Sequence, residues 1–434
     1  MPISSRSSAL LALPALALAA LLTGCALQTT ASPGSSQGLA LTGTVHGGQP
    51  PVVGSHVHLL AAAVTGYGAA STSLLTTGTA GSDSFGGFVL TDAAGAFSIT
   101  GDYTCVVGTQ VYVLATQGNP GLPGNQTNPN LALMAAIGQC PATGNFVSSV
   151  PFISVNEVTT VASVYALSGY MTDLSHVASS GTPQAMTGIA NAFATVNNLV
   201  DISGGGALAT TPAGNGTPPQ TEINTLANII ASCVNSAGAS SVPCTALFAN
   251  AANGSTQPTD TVTAALNIAH SPASNIANLF ALQTAAAPFA PTLSAAPNDF
   301  TVAITYTGGG LDAPVSIAID GNDNVWMVNL NTSLSEFNGV TGAALSPSTG
   351  FIGGGLFGAF AIGIDPLNNA WVVNQNTTVS KFTSSGAPDP GSPFSGGGLN
   401  NPPSANVLSP RDVAFDAAGN VWIANASTGS VTEL

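Results

Sequence analysis

The sequence predicts a multidomain protein with an N-terminal β-sandwich, a central all-α bundle and a C-terminal partial β-propeller of about three blades. Three observations carry that expectation. Residues 39–118 alternate Val, Phe, Tyr and Thr between Gly, Pro and Asp turns, which is the period of half-buried strands. Residues 151–290 place apolar side chains three and four apart, the period of helices. Residues 297–434 contain one unit three times over, and a period in the forties suits four-stranded blades.

Composition bounds the function classes. Only 5% of the 434 residues are charged, the net charge is -15, and the basic side chains are Arg6, Lys381 and Arg411. Nucleic-acid affinity depends on Lys and Arg neutralising phosphates, so a nucleic-acid partner is excluded. Beyond the N-terminus no apolar run approaches the ~20 residues that span a bilayer.

The N-terminus carries the most specific signal. Arg6 precedes the apolar stretch ALLALPALALAALL, and Leu22-Thr23-Gly24-Cys25 follows. A short positive region, an apolar segment and small residues are the order of an export signal, expected at residues 1–24. Residues 25–38 then read as a polar tether. The four residues ending at Cys25 resemble a bacterial lipobox. That resemblance implies diacylation of Cys25 and a membrane partner through the lipid, each buried methylene contributing about 0.8 kcal/mol. The implied location is the bacterial cell envelope, at the outer membrane or cell surface.

Four further cysteines, Cys105, Cys140, Cys233 and Cys244, are an even number in an exported chain and read as disulfides. Proximity favours Cys105 with Cys140 and Cys233 with Cys244, although three connectivities remain open. The stretches GTVHGGQPPVVGSHVHLL and TDAAGAFSIT resemble the carboxypeptidase-regulatory, prealbumin-like sandwich family found as modules on exported bacterial proteins. Residues 119–150 read as a connector. In residues 151–290, five segments read as helices, and several of them begin with a Ser or Thr followed by Pro, or with Thr before an acidic residue. Glu157 and Glu222 fall on separate helices without an evident acid–base partner.

The repeat is IAIDGNDNVWMVN, IGIDPLNNAWVVN and VAFDAAGNVWIAN. Its shared positions are Asp320, Asn324, Trp326 and Asn329, then Asp365, Asn369, Trp371 and Asn374, then Asp416, Asn420, Trp422 and Asn425. A GGGL stretch precedes each unit, starting at Gly308, Gly353 and Gly396. The Asp is expected to fold a tight turn onto its own backbone, and the Trp to fill the gap between adjacent sheets. DAAG also occurs at residues 92–95, so the tetrapeptide alone reads as turn chemistry. The full unit resembles NHL-repeat and virginiamycin B lyase-like propellers. The lyase resemblance implies metal-assisted elimination by His and acidic residues in a central channel, but residues 297–434 contain no His. A lactonase-like propeller implies calcium held by acidic and amide oxygens. Three units are fewer than the four to eight of closed propellers. The segment therefore reads as part of a longer propeller, with self-association through open edges as the alternative.

No catalytic motif stands out, and no cofactor is expected. His56 and His58 are two apart and share a strand face, with His46 nearby, which makes these three the candidates for a metal. Solvent-exposed strand histidines without an ion are the simpler expectation. The expected role is a lipid-anchored binding or scaffolding protein with an unknown protein or glycan ligand. A propeller enzyme, lyase or lactonase-like hydrolase, is the alternative.

Overall fold

The computed structural model describes residues 41–434 except 77, 101–102, 104, 145, 147–148, 284–286, 400–409 and 427. The export signal, Cys25 and the tether lie outside the described residues. No helix among the described residues is long and apolar enough to cross a membrane.

Two sheets begin the fold. The smaller has the order β6-β1-β9, with β1 (Leu41–Val45) antiparallel to β6 (Ala96–Ile99) and parallel to β9 (Ile153–Val155). The larger follows β4-β5-β2-β7-β8, from β2 (His56–Ala61), β4 (Gly81–Asp83), β5 (Gly86–Leu90), β7 (Gln110–Thr116) and β8 (Ala132–Gln139), with β3 (Thr72–Ser73) on β2. Cys105 is bonded to Cys140, with Cα atoms 5.9 Å apart, tying the approach to β7 to the end of β8.

Residues 119–150, expected as a connector, thus supply the edge strand β8 of the larger sheet. The run ALMAAI in β8 is buried on both faces and shows no alternation, which hides it from a period-two search. Its outer edge is sealed by side chains. Thr261, Thr160 and Ser163 accept the backbone N–H groups of Ala132, Met134 and Ala136 at 3.0, 2.8 and 2.9 Å. Those hydroxyls satisfy donors that a buried sheet edge would otherwise leave unpaired.

The hydroxyls arrive on helices. They are α1 (Glu157–Leu167), α2 (Pro183–Leu199), α3 (Gln220–Val234), α4 (Val242–Asn250), α5 (Thr261–His270) and the short α6 (Ile276–Phe280). Asn156, Thr182, Ser241 and Asp260 cap α1, α2, α4 and α5 by accepting a backbone N–H from the first turn. The expected all-α bundle is interrupted by hairpins: β10 (Met171–Asp173) with β11 (His176–Val177), and β12 (Val200–Asp201) with β13 (Gly206–Ala207). Helices and sheets also share a single apolar core, in which Leu133 and Met134 of β8 pack with Val161 of α1 and Ile230 of α3. The cause is α1, whose residues are buried almost all round between β8 and the other helices. Cys233 is bonded to Cys244, joining α3 to α4.

Next, β14 (Gly216–Thr217) pairs with β15 (Thr305–Tyr306), so the first residues after 297 belong to the helical region. Three antiparallel sheets follow. Blade 1 is β16 (Pro314–Ile319), β17 (Val325–Asn329) and β18 (Ser333–Phe337). Blade 2 is β19 (Ala361–Ile364), β20 (Ala370–Val373), β21 (Thr378–Phe382) and β22 (Phe394–Ser395). Blade 3 is β23 (Asp412–Phe415), β24 (Val421–Asn425) and β25 (Ser430–Glu433). They form a partial, propeller-like stack with apolar cores between blades 1 and 2 and between blades 2 and 3.

Candidate functional site

Each repeat folds the same way from its first residue. Asp320 Oδ1 accepts the N–H groups of Asn322 and Asn324 at 2.8 and 2.9 Å. Its Oδ2 accepts Asn324 Nδ2 at 3.2 Å and Trp326 Nε1 at 3.1 Å. Asp365 repeats all four bonds with Leu367, Asn369 and Trp371, at 2.8 to 2.9 Å. Asp416 does so with Ala418, Asn420 and Trp422, at 2.8 to 3.2 Å. Burial pushes the Asp365 carboxyl up, but the bonds from Trp371 and Asn369 outweigh it and hold the group below its usual range. Hydrogen bonds from Asn420 and Trp422 hold Asp416 low as well. At residues 92–95 the same turn forms without a Trp, since Asp92 Oδ1 accepts from Ala94 and Ala96 at 2.8 and 2.9 Å.

The second Asn of each unit closes the blade. Asn329 Nδ2 donates to Gly310 O, Ser333 Oγ and Ser335 Oγ, and its Oδ1 accepts Asp312 N–H at 3.1 Å. Asn374 donates to Thr378 and Ser380 and accepts from Phe357. Asn425 donates to Thr432 at 2.8 Å. The GGGL stretches explain themselves at Gly310 and Gly355. Both have positive φ, and a Cβ on Gly310 would lie 2.0 Å from Gly350 N. The repeated side chains are therefore spent on the blade's own backbone and side chains, at three separate places.

What differs among the blades is the cover over the Trp. Trp326 is 0% exposed and packs with Ile362 and Val372 of blade 2. Trp371 is 8% exposed and packs with Val413 and Ile423 of blade 3. Trp422 is 40% exposed. The opposite end of the stack shows the complementary face. Ile317 and Ile319, 63% and 61% exposed, stand three and one before Asp320. Ile362 and Val413 occupy the equivalent of Ile317 in the other blades and are buried.

The histidines separate into one cluster and several isolated groups. His56 and His58 of β2 both reach Asp83 at the end of β4. His56 Nδ1 lies 3.0 Å and His58 Nε2 3.4 Å from Asp83 Oδ2. His58 is fully buried, contrary to the expectation of exposed strand histidines, and burial lowers its pKa below the usual imidazole value. His46 does not join them. It follows β1 of the other sheet and pairs with Pro51 at a turn. Asp83 escaped sequence analysis because it is 25 residues beyond His58, in a GSDSFGG stretch that reads only as a turn. His176 pairs with Asp173 at 2.8 Å, and His270 donates to Ser168 O. Glu157 is buried at the start of α1, accepts Gly48 N–H on both oxygens at 2.9 Å, and is pushed up to about 8 by burial. Burial and then Asp299 push Glu222 up to about 7.

No family model and no curated protein sequence matches the chain. Solved structures are similar to parts of it. A streptogramin B lyase shares 15% identity over 30% of this chain and 40% of that one, with a TM-score of 0.23. A catalytically inactive virginiamycin B lyase from Staphylococcus aureus with quinupristin shares 17% over 29% and 41%, at 0.20. A gluconolactonase from Xanthomonas campestris shares 17% over 26% and 35%, at 0.21. The chain spans less than half the length of each, and the blade assignment rests on its own strand pairing.

Proposed function

We propose that this is an exported, lipid-anchored binding and scaffolding protein of the bacterial cell envelope that docks through its blades. The lipobox-like Leu22-Thr23-Gly24-Cys25 and the two disulfides support export to an oxidising compartment. The two sheets before α1 are compatible with a prealbumin-like module carried between anchor and blades. The observation that carries the binding role is the pair of open blade faces. Trp422 presents the face that Trp326 and Trp371 bury within the chain, and Ile317 and Ile319 present the face that receives them.

The occupant these faces fit is a second copy of this chain. The internal blade contacts supply the template, because each joins a Trp face to an apolar first strand. Head-to-tail use of both faces would set the Trp422 face of one copy on the Ile317 and Ile319 face of the other, the same pairing that joins adjacent blades within the chain. Sedimentation of the full chain in detergent tests this. A dimer is expected, and Trp422→Asp and Ile319→Asp should each dissociate it. Mixing the two variants should recover association through the one intact interface. A monomer at every concentration, or a dimer indifferent to both changes, overturns the second copy as occupant. Fatty-acid labelling that is lost in Cys25→Ala supports the anchor, and label that persists counts against it.

A further inference from the structure

We propose that His56, His58 and Asp83 form a binding site for a divalent transition ion of the zinc type, open to solvent at a fourth position. This is independent of the blades and lies on the larger N-terminal sheet. β2 places His56 and His58 on one face, and the β4–β5 hairpin brings Asp83 over them. The ligand atoms all lie within 4.8 Å of one another. A tetrahedral ion with bonds of ~2.0–2.1 Å sets neighbouring ligand atoms about 3.3 Å apart. The Asp83 separations of 3.0 and 3.4 Å already match that edge.

The partners around these atoms orient them toward a common centre. Asp83 Oδ1 is occupied by Phe85 N–H at 2.9 Å, which turns Oδ2 toward both rings. His58 Nδ1 is 3.1 Å from Gly87 O. A carbonyl only accepts, so Nδ1 carries the proton and the neutral ring's lone pair is on Nε2. That Nε2 is buried with no hydrogen-bond partner and faces a carboxylate oxygen. A buried ring nitrogen with no donor, 3.4 Å from a carboxylate oxygen, is unfavourable unless a proton or a metal cation lies between them. His56 Nε2 is held 2.6 Å from the Gln117 side-chain amide, which can present either its donor or its acceptor end. Phe88 stacks on His56 at 3.6 Å between centroids, and Phe85 meets His58 edge-on at 5.5 Å. An imidazole held through its second nitrogen by a carbonyl or amide is the usual support of a metal ligand. The His56 and Asp83 side chains are 21% and 28% exposed, which leaves an entry side and room for a water ligand.

Titration of the tag-free, metal-stripped full chain with zinc chloride by calorimetry tests the site. One ion per chain is expected. Asp83→Asn keeps an oxygen for the Phe85 N–H and so preserves the turn, yet it should weaken binding about 100-fold. His58→Gln should do the same, and Gln117→Leu should cost about tenfold. Cobalt(II) should give the visible absorption of a tetrahedral nitrogen–oxygen site, lost in Asp83→Asn. His46→Ala and His176→Ala should change nothing. Absence of binding, binding that survives Asp83→Asn, or binding that follows His46 or His176 overturns the proposal.

Discussion

Blades 2 and 3 carry the same turn and the same four hydrogen bonds to one aspartate, yet Trp371 is buried and Trp422 is open. The motif therefore organises its own hairpin, whereas burial is conferred by the neighbouring blade. Stability should divide along that line. Replacing Trp326 or Trp371 with Ala is expected to cost about 3–5 kcal/mol, as for a large core side chain. Trp422→Ala in the monomer should cost about 1 kcal/mol, chiefly its bond to Asp416. Urea denaturation measures both, and equal costs would mean that the local network, not packing, carries the stability.

A second division runs between the blades and the sheet–helix region. All three tryptophans are in the blades, while both disulfides are outside them. Reduction should weaken the sheet–helix region by roughly 4 kcal/mol for the loop closed at separation 35 and roughly 3 kcal/mol for that at 11, by loop entropy. Far-ultraviolet dichroism should record the loss while the tryptophan fluorescence transition stays in place. Coincident shifts would show that the two regions unfold as one unit.

The pH dependence differs in sign between the regions. Glu157 is raised from 4.5 to about 8, so the unfolded chain releases this proton first. Its contribution is fully present below about pH 4.5, declines as pH rises, and is gone above about 8. The slope is at most about 1.4 kcal/mol per pH unit, and Glu157→Gln should flatten it. Asp365 and Asp416 are held low, so their contribution is present above about pH 4 and lost as pH falls through their folded values. Acid should therefore loosen blades 2 and 3 while Glu157 loses its penalty. Stability profiles of Glu157→Gln and wild type that run parallel from pH 4.5 to 8 would refute the assignment of the buried carboxyl.

The positions legible in sequence were those whose partners are near in sequence. Asp320 finds Asn324 and Trp326 within six residues, so the repeat predicted its turns and its strands. Thr182 caps α2 through its first turn and stands before Pro183, and that helix start was legible for the same reason. By contrast β8 was read as connector, because a strand buried on both faces looks like any apolar run. The short α4, tied down by Ser241 and by Cys244, carries too little periodicity to be noticed. Asp83 was passed over because a turn aspartate and a metal-facing aspartate have the same local sequence.

The sequence alone determined local geometry: the Asp turns, the positive-φ glycines before each blade and the helix caps. These depend on backbone and side-chain groups a few residues apart, whose meeting costs little chain entropy. Only the tertiary structure decided which surfaces are covered. It set α1 against β8, left the Trp422 and Ile317 faces open, and brought Asp83 onto His56 and His58. Such contacts join residues tens of positions apart, and periodicity shows that a face is apolar without showing what will pack on it.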